Sequence, residues 1–333
     1  MKHIDVKEII SSKDYVGREV TVCGWVRTSR NSKSVAFVEL NDGTSLKNIQ
    51  VVVEKGDTDY KEPRVGMSLK VTGTVTEGRN NTVEINTAPD GITVLGECPQ
   101  DYPLQKKGHT LEFLRSMPHL RGRTNTFNAV WRVRSVLAAS LHEFFQKNNY
   151  VYVNTPLITG SDCEGAGEMF QVTTNGYTTE FKSEEEYYAN DFFGKRAGLS
   201  VSGQLEGEVA AMAMGKIYTF GPSFRAENSN TPKHLAEFWH IEPEVAFAEL
   251  DDVIEIAEDM LKYVIGKLLE KCPDEVAFFD AHFEKGLRAR LEELISHDFA
   301  RVTYTEAIKL LQESGEKFVY PVEWGCDLQT EHE

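Results

Sequence analysis

Short runs of alternating apolar and polar residues fill positions 18–85, and longer runs with helical spacing take over from position 127. The stretches at 18–27, 34–40, 49–53, 68–76 and 82–85 are separated by turn sequences such as Asn41-Asp-Gly43 and Gly78-Arg-Asn-Asn81. Five such strands predict a small β-barrel. Pro99, Pro103, Gly108, Pro118 and Gly122 punctuate the polar segment 97–126, which predicts a linker. Val130, Val133, Val136, Leu141 and Phe144 then recur at helical spacing and predict a helix over 127–148, followed by a strand at 150–156. Positions 216–227 and 238–247 alternate again and predict a hairpin. Its period puts Arg225 and Glu227 on one face of the first strand, and Phe238, His240, Glu242 and Glu244 on one face of the second. Beyond 249, acidic amphipathic helices lead to a strand and turn at 318–333. The fold class these elements predict is α+β.

Composition adds a class and removes others. A chain of 333 residues, 41% hydrophobic and 26% charged, can hold two domains with sizeable cores. It has no run of about 18 apolar residues and opens on Met-Lys-His-Ile-Asp-Val-Lys-Glu, so a cytoplasmic protein without a membrane partner is expected. The five cysteines, Cys23, Cys98, Cys163, Cys272 and Cys326, are scattered and never spaced as Cys-x-x-Cys. Neither a disulfide framework nor a structural zinc is expected. A net charge of −16 argues at first against a nucleic-acid partner. The cations, however, collect at Lys13, Arg18, Arg27, Arg30 and Lys33 and again from Lys106 to Arg134, while the acids gather after Glu249. That asymmetry fits a polyanion lying across the first half of the protein, although an uneven solvated surface would also produce it.

The hairpin carries the densest chemistry. An arginine suits a phosphate oxygen, a carboxylate can accept from an adenine amino group, and a ring can stack on a base. Spacing alone equally allows an ordinary hairpin whose charges face water. Phe224-Arg-Ala-Glu227 followed by Lys233-His-Leu-Ala-Glu-Phe238 resembles motif 2 of the class II aminoacyl-tRNA synthetases, in the form of the aspartyl and asparaginyl branch. The continuation Trp239-His-Ile-Glu-Pro-Glu244 resembles the asparaginyl variant. The resemblance implies that Arg225 is catalytic and grips the α-phosphate of ATP, with Glu227 on the adenine edge, His234 on the outer phosphates and Phe238 stacked on the base. Lys233 stands where the family more often has arginine, which keeps the charge and loses a bidentate fork.

The resemblance extends to nearly the whole chain. Gly24-Trp-Val-Arg27 and Ile49-Gln-Val51 are similar to the anticodon-binding OB-fold of this branch, which implies such a domain over 1–100. Phe37 would then stack on the central anticodon uridine, Gln50 would read its edge, and Glu84 and Arg27 would contact the anticodon as well. Taken without the family, Phe37 reads as a core position rather than a platform, since apolar strand residues usually point inward. His119-Leu-Arg-Gly-Arg-Thr124 resembles the hinge, placed at 101–125, and the helix with Tyr150-Val-Tyr-Val-Asn-Thr-Pro156 resembles motif 1, which implies a homodimer. Ser161-Asp-Cys-Glu164 and Val201-Ser-Gly-Gln-Leu-Glu-Gly-Glu208 look like the amino-acid pocket. Glu164, Ser202, Gln204 and Glu242 would hold the substrate ammonium. In aspartyl enzymes a lysine occupies the position of Gly207, and here Glu208 follows instead. A carboxylate there would accept from an asparagine amide and repel aspartate.

What the resemblance implies is an asparagine–tRNA ligase acting through an asparaginyl-adenylate, with ATP as substrate, Mg²⁺ on its phosphates and tRNA(Asn) as partner. The glycine-rich motif 3, Gly-x-Gly-x-Gly-x-x-Arg, does not occur after Glu244. The catalytic domain at 126–333 is therefore expected to be incomplete at its carboxyl end. The metal carboxylates are expected beyond Glu333, and these 333 residues alone are expected not to activate an amino acid. An aspartyl enzyme accepting both tRNAs, and a non-catalytic tRNA-binding or dimerisation fragment, are the alternatives.

Overall fold

The computed structural model describes residues 3–55, 61–79, 82–163, 169–228 and 234–332. The chain divides into two compact units, Met1–Tyr150 with Lys267–Arg288, and Val151–Gly266 with Ala289–Glu333.

The first unit begins with helix α1 (Val6–Ser11) and a barrel of β1 (Glu19–Asn31), β2 (Val35–Asn41), β3 (Ile49–Glu54), β4 (Ser68–Glu77) and β5 (Val83–Thr87). These five strands run in the order β1-β2-β3-β5-β4, and the pairing of β1 with β4 closes the circle. All the pairings are antiparallel except that of β3 with β5. Alternate residues point inward, so Val22, Val38, Leu40, Val51, Leu69 and Ile85 are fully buried. β4 approaches the β5 backbone closely at Gly73, where a Cβ would come within 2.4 Å of the Asn86 carbonyl. A sixth strand, β6 (Ile92–Gly96), adds to β4 outside the closed circle. Sequence reasoning missed it because its residues do not alternate in burial. It also missed α1, which is short. That helix is nonetheless built in, since Asp42 of the Asn41-Asp-Gly43 turn accepts from the Val6 N–H at 2.7 Å, and Val6 and Ile9 are fully buried.

After the barrel, α2 (Leu111–Arg115) and α3 (Pro118–Arg121) interrupt the proline- and glycine-marked segment. Tyr102, Leu104, Leu114 and Met117 of this segment join the barrel's buried apolar cluster. Helix α4 (Asn125–Lys147) then takes the place of the predicted helix, with Thr124 capping the Phe127 N–H. Its carboxyl end is a Schellman turn. Asn149 adopts φ 62°, the Tyr150 N–H reaches the Phe145 carbonyl at 3.0 Å, and the two rings meet edge to face at 5.1 Å. On the opposite flank, Arg132 donates to the Gly43 carbonyl and lies 3.8 Å from the buried Glu275. The barrel turn, α4 and the helix at Pro273–His282 are thus tied through one guanidinium.

The second unit contains β7 (Val151–Tyr152), β8 (Ile158–Thr159), α5 (Glu184–Ala189), β9 (Gly198–Leu199), α6 (Gln204–Met214), β10 (Lys216–Phe224) and β11 (Glu237–Val245). Helix α7 (Leu250–Lys271) passes from this unit into the first, α8 is Pro273–His282, and α9 (Leu287–Ser296) and α10 (Tyr304–Glu313) follow. The predicted strand at 150–156 shrinks to the two residues of β7, which pair in parallel with β10. No strand forms at 318–332. The backbone donors of Val319 and Tyr320, which a sheet partner would have taken, go to the Glu331 carboxylate at 3.0 and 2.7 Å.

Candidate functional site

The predicted hairpin is present as β10 and β11, antiparallel from Lys216 opposite Val245 to Phe224 opposite Glu237. Directly opposed residues share a face, so Phe238, His240, Glu242 and Glu244 stand beside Ser223, Gly221, Thr219 and Ile217. The first strand ends sooner than the alternation predicts. Arg225 keeps one ladder bond, from its N–H to the Ala236 carbonyl at 3.1 Å, whereas Glu227 lies beyond the strand and is exposed. The Arg225 guanidinium lies 5.5 Å from the Phe238 ring centre, close enough for a cation–π contact. His234 is exposed ahead of β11; Lys233 falls outside the described residues.

Glu242 is the centre of the polar network. Its carboxylate accepts from the Ser202 hydroxyl, from the Gly203 N–H at 3.1 Å and from the Thr219 hydroxyl at 3.0 Å. Gly203 is required at that contact, since a Cβ would approach the Thr155 hydroxyl to 2.7 Å. Ser202 also accepts from the Gln204 N–H at 3.1 Å, and the Gln204 side chain donates to Glu208 at 2.9 Å. The chain is steered there by β9 and the residue after it, because Ser200 bonds the Leu157 carbonyl at 2.8 Å and receives the Phe224 N–H at 2.9 Å. Ser202, Gln204, Glu208 and Glu242 therefore converge on the amino end of α6. Glu164 lies outside the described residues.

Two members of this cluster carried no assigned role in the sequence. Thr219 escaped notice because a strand threonine has no pattern of its own. Glu244 was visible on the correct face, but its situation was not. Burial, then the Glu208 and Glu242 carboxylates, push its pKa above the ordinary carboxylate value. A Cβ on Gly207 would sit 3.3 Å from the Glu244 side chain, so this position is a bare backbone directly beside Glu244.

On the barrel, β2 turns Phe37 outward, 39% exposed, while Ala36 and Val38 face the core. The register aligns Phe37 with Val52, Glu39 with Gln50, and Gln50 with Glu84. Gln50 donates to Glu84 at 2.8 Å. Phe37, Gln50 and Glu84 thus form one outer patch. Arg30, directly opposite Phe37 on β1, joins it; in the sequence it counted only among the amino-terminal cations, because the bulge after Val26 shifts the alternation. Arg27 is placed differently: its guanidinium donates to the Arg123 carbonyl and, at 2.9 Å, to Asn125. Burial lowers its pKa, with the Arg123 charge adding to the effect.

Comparison with known proteins agrees with this division. The family described as tRNA synthetases class II (D, K and N) matches residues 110–331, and the OB-fold nucleic acid binding domain matches residues 20–94. The asparagine--tRNA ligase of Clostridium kluyveri is 50% identical over 339 aligned positions, covering 100% of this chain and 73% of the relative. That of Clostridium acetobutylicum is 51% identical with the same coverage. The chain belongs to the asparagine–tRNA ligase family. The asparaginyl-tRNA synthetase of Pyrococcus horikoshii, solved with asparaginyl-adenylate, superposes with a TM-score of 0.81 at 26% identity, over 100% of this chain and 71% of that one. The Entamoeba histolytica aspartyl enzyme shares the fold, with a TM-score of 0.72 at 21% identity. As a member of the asparagine–tRNA ligases, the chain is a class II aminoacyl-tRNA synthetase whose barrel is its OB-fold.

Proposed function

We propose that this protein activates asparagine with ATP on the β10–β11 face and transfers it to a tRNA held by the barrel. The observation that carries the substrate choice is the acid cluster in which Glu208 and Glu242 act on Glu244, with Gly207 beside Glu244 and no lysine at that position. A substrate ammonium suits Glu242, Ser202 and Gln204, which already bond one another. Glu208 and the neighbouring Glu244 leave a negative wall for the side chain, which accepts an amide and repels a carboxylate. Arg225 would hold the α-phosphate as the asparagine carboxylate attacks it and pyrophosphate leaves, with Phe238 against the adenine, Glu227 at its edge and His234 toward the outer phosphates. The tRNA ribose then attacks the adenylate carbonyl. No protein nucleophile takes part.

Mg²⁺ would neutralise phosphate charge in this reaction. Among the described residues no group of three or more His, Cys, Asp or Glu side chains could hold a metal, so no step is assigned to it. The outer patch of Phe37, Gln50, Glu84 and Arg30 supports reading of an unstacked anticodon base, with Arg27 bonded to the Arg123 carbonyl and the Asn125 side chain in the same unit. Exposed Trp131 on α4 supports a homodimer through motif 1. Among the described residues no helix is long and apolar enough to cross a membrane, which supports a place in the cytoplasm with the translation apparatus.

ATP–pyrophosphate exchange by the whole native protein tests the assignment. Asparagine is expected to drive exchange and aspartate is not, and Glu208→Gln is expected to narrow the gap. Equal exchange with the two amino acids in the unsubstituted protein would contradict it.

A further inference from the structure

Away from the hairpin, the first unit contains a groove of about 510 Å³ that the aminoacylation site does not use. It lies against the barrel at Trp25, Thr28 and Glu39, and its other wall is the 104–109 segment with the first residues of α4. Such a volume falls within the range of about 300–1,000 Å³ that small ligands occupy.

The lining is unusual for so acidic a protein. Arg27, Lys106, Lys107 and Arg123 face it against a single carboxylate, Glu39, which already accepts from Asn48 at 3.3 Å. Lys106 and Lys107 are exposed and have no ion pair among the described residues. The other two cations are fixed rather than free: Arg27 holds the 123–125 segment, and Arg123 lies 5.2 Å from the Trp25 ring centre while bonding the Tyr102 hydroxyl at 3.3 Å. Thr124, Asn125 and Thr126 bring the amino end of the 23-residue α4 to the same space. Backbone donors at such an end favour an anion.

Cations alone would suit any anion, and aromatic rings alone any apolar group. The two together, with Asn48 and Gln105 as amide partners, match a planar base joined to a phosphate. We propose that this groove binds a nucleoside phosphate, its base against Trp25, Tyr102 and the Arg123 guanidinium and its phosphate at Lys106, Lys107 and the amino end of α4. The ligand is either a free nucleotide or one residue of an RNA strand. The second source has a geometric basis, because Thr28 and Glu39 are paired two places along the β1–β2 ladder from Arg30 and Phe37.

Cytidine 5′-monophosphate is the probe, since the motif 2 hairpin is argued to read adenine and the Phe37–Gln50 patch uridine. Isothermal titration of the native protein is expected to show saturable binding. The double variant Lys106→Glu, Lys107→Glu is expected to weaken it at least tenfold, with an unchanged circular dichroism spectrum, while Arg225→Ala leaves it as it was. If tRNA competes with the probe, the natural ligand is an RNA nucleotide; if tRNA leaves it bound, the ligand is a free nucleotide. Absence of saturable binding to the native protein, or equal affinity in the double variant, overturns the proposal. Because pyrophosphate exchange reports the hairpin and not the groove, failure here is separable from failure of the asparagine assignment.

Discussion

Glu244 shows how much a single residue's surroundings add to its identity. In the sequence it is one acid on an alternating strand; in the fold it is half-buried, faces Ile217 across the ladder and shares its space with Glu208 and Glu242. Its pKa is raised, so between the ordinary carboxylate value and the raised one the folded protein binds a proton that the unfolded chain has lost. Stability therefore falls as pH rises through that window. Glu244→Gln removes the ionisation. The variant is expected to match the native protein in urea unfolding well below the ordinary carboxylate pKa and to be more stable at neutral pH. A variant equally destabilised at both pH values would show that Glu244 serves as a packed hydrogen-bonding group instead.

At the scale of elements, the face of a strand decides function, and β2 is the clearest case. Its apolar character on a strand favoured the core for Phe37, and the resemblance alone favoured the surface. The barrel's register settles its direction: Ala36 and Val38 are fully buried, so Phe37 must point out, beside Arg30, Gln50 and Glu84. Phe37→Ala should therefore leave the barrel folded and weaken tRNA binding by about 1–3 kcal/mol, the usual worth of a base stacked on a ring. A filter-binding titration at constant salt measures this; unchanged affinity in the folded variant would remove Phe37 from the anticodon site. The barrel strands, α4 and the hairpin were legible because each has a sustained period. What was not legible lacked one. β6 has no alternation in burial, α1 spans six residues and depends on a cap from a distant turn, and 318–332 has strand-like composition but satisfies its backbone with a side chain. Arg30 was visible only as one of the amino-terminal cations, because the bulge shifts the alternation that would have put it on a face, and the partners of Arg27, the backbone of residue 123 and the side chain of Asn125, are distant in sequence and carry no local pattern.

For the whole molecule, the distribution of charge reconciles a net of −16 with a polyanionic partner. The barrel unit carries Arg30 on its outer patch, and at its groove Lys106 and Lys107, without an ion pair among the described residues, while the acids of the second unit gather at the site proposed for the amino acid's ammonium group. Under the proposed function, tRNA recognition belongs to one unit and choice of the amino acid to the other, and one assay reads both. Whole native protein should be given labelled asparagine or aspartate, together with a tRNA carrying the central anticodon uridine or the same tRNA with cytidine there. The account predicts that asparagine is attached to the uridine-bearing tRNA, and that aspartate or the cytidine substitution each reduces charging by orders of magnitude. Comparable charging with aspartate, or indifference to the central base, would contradict it.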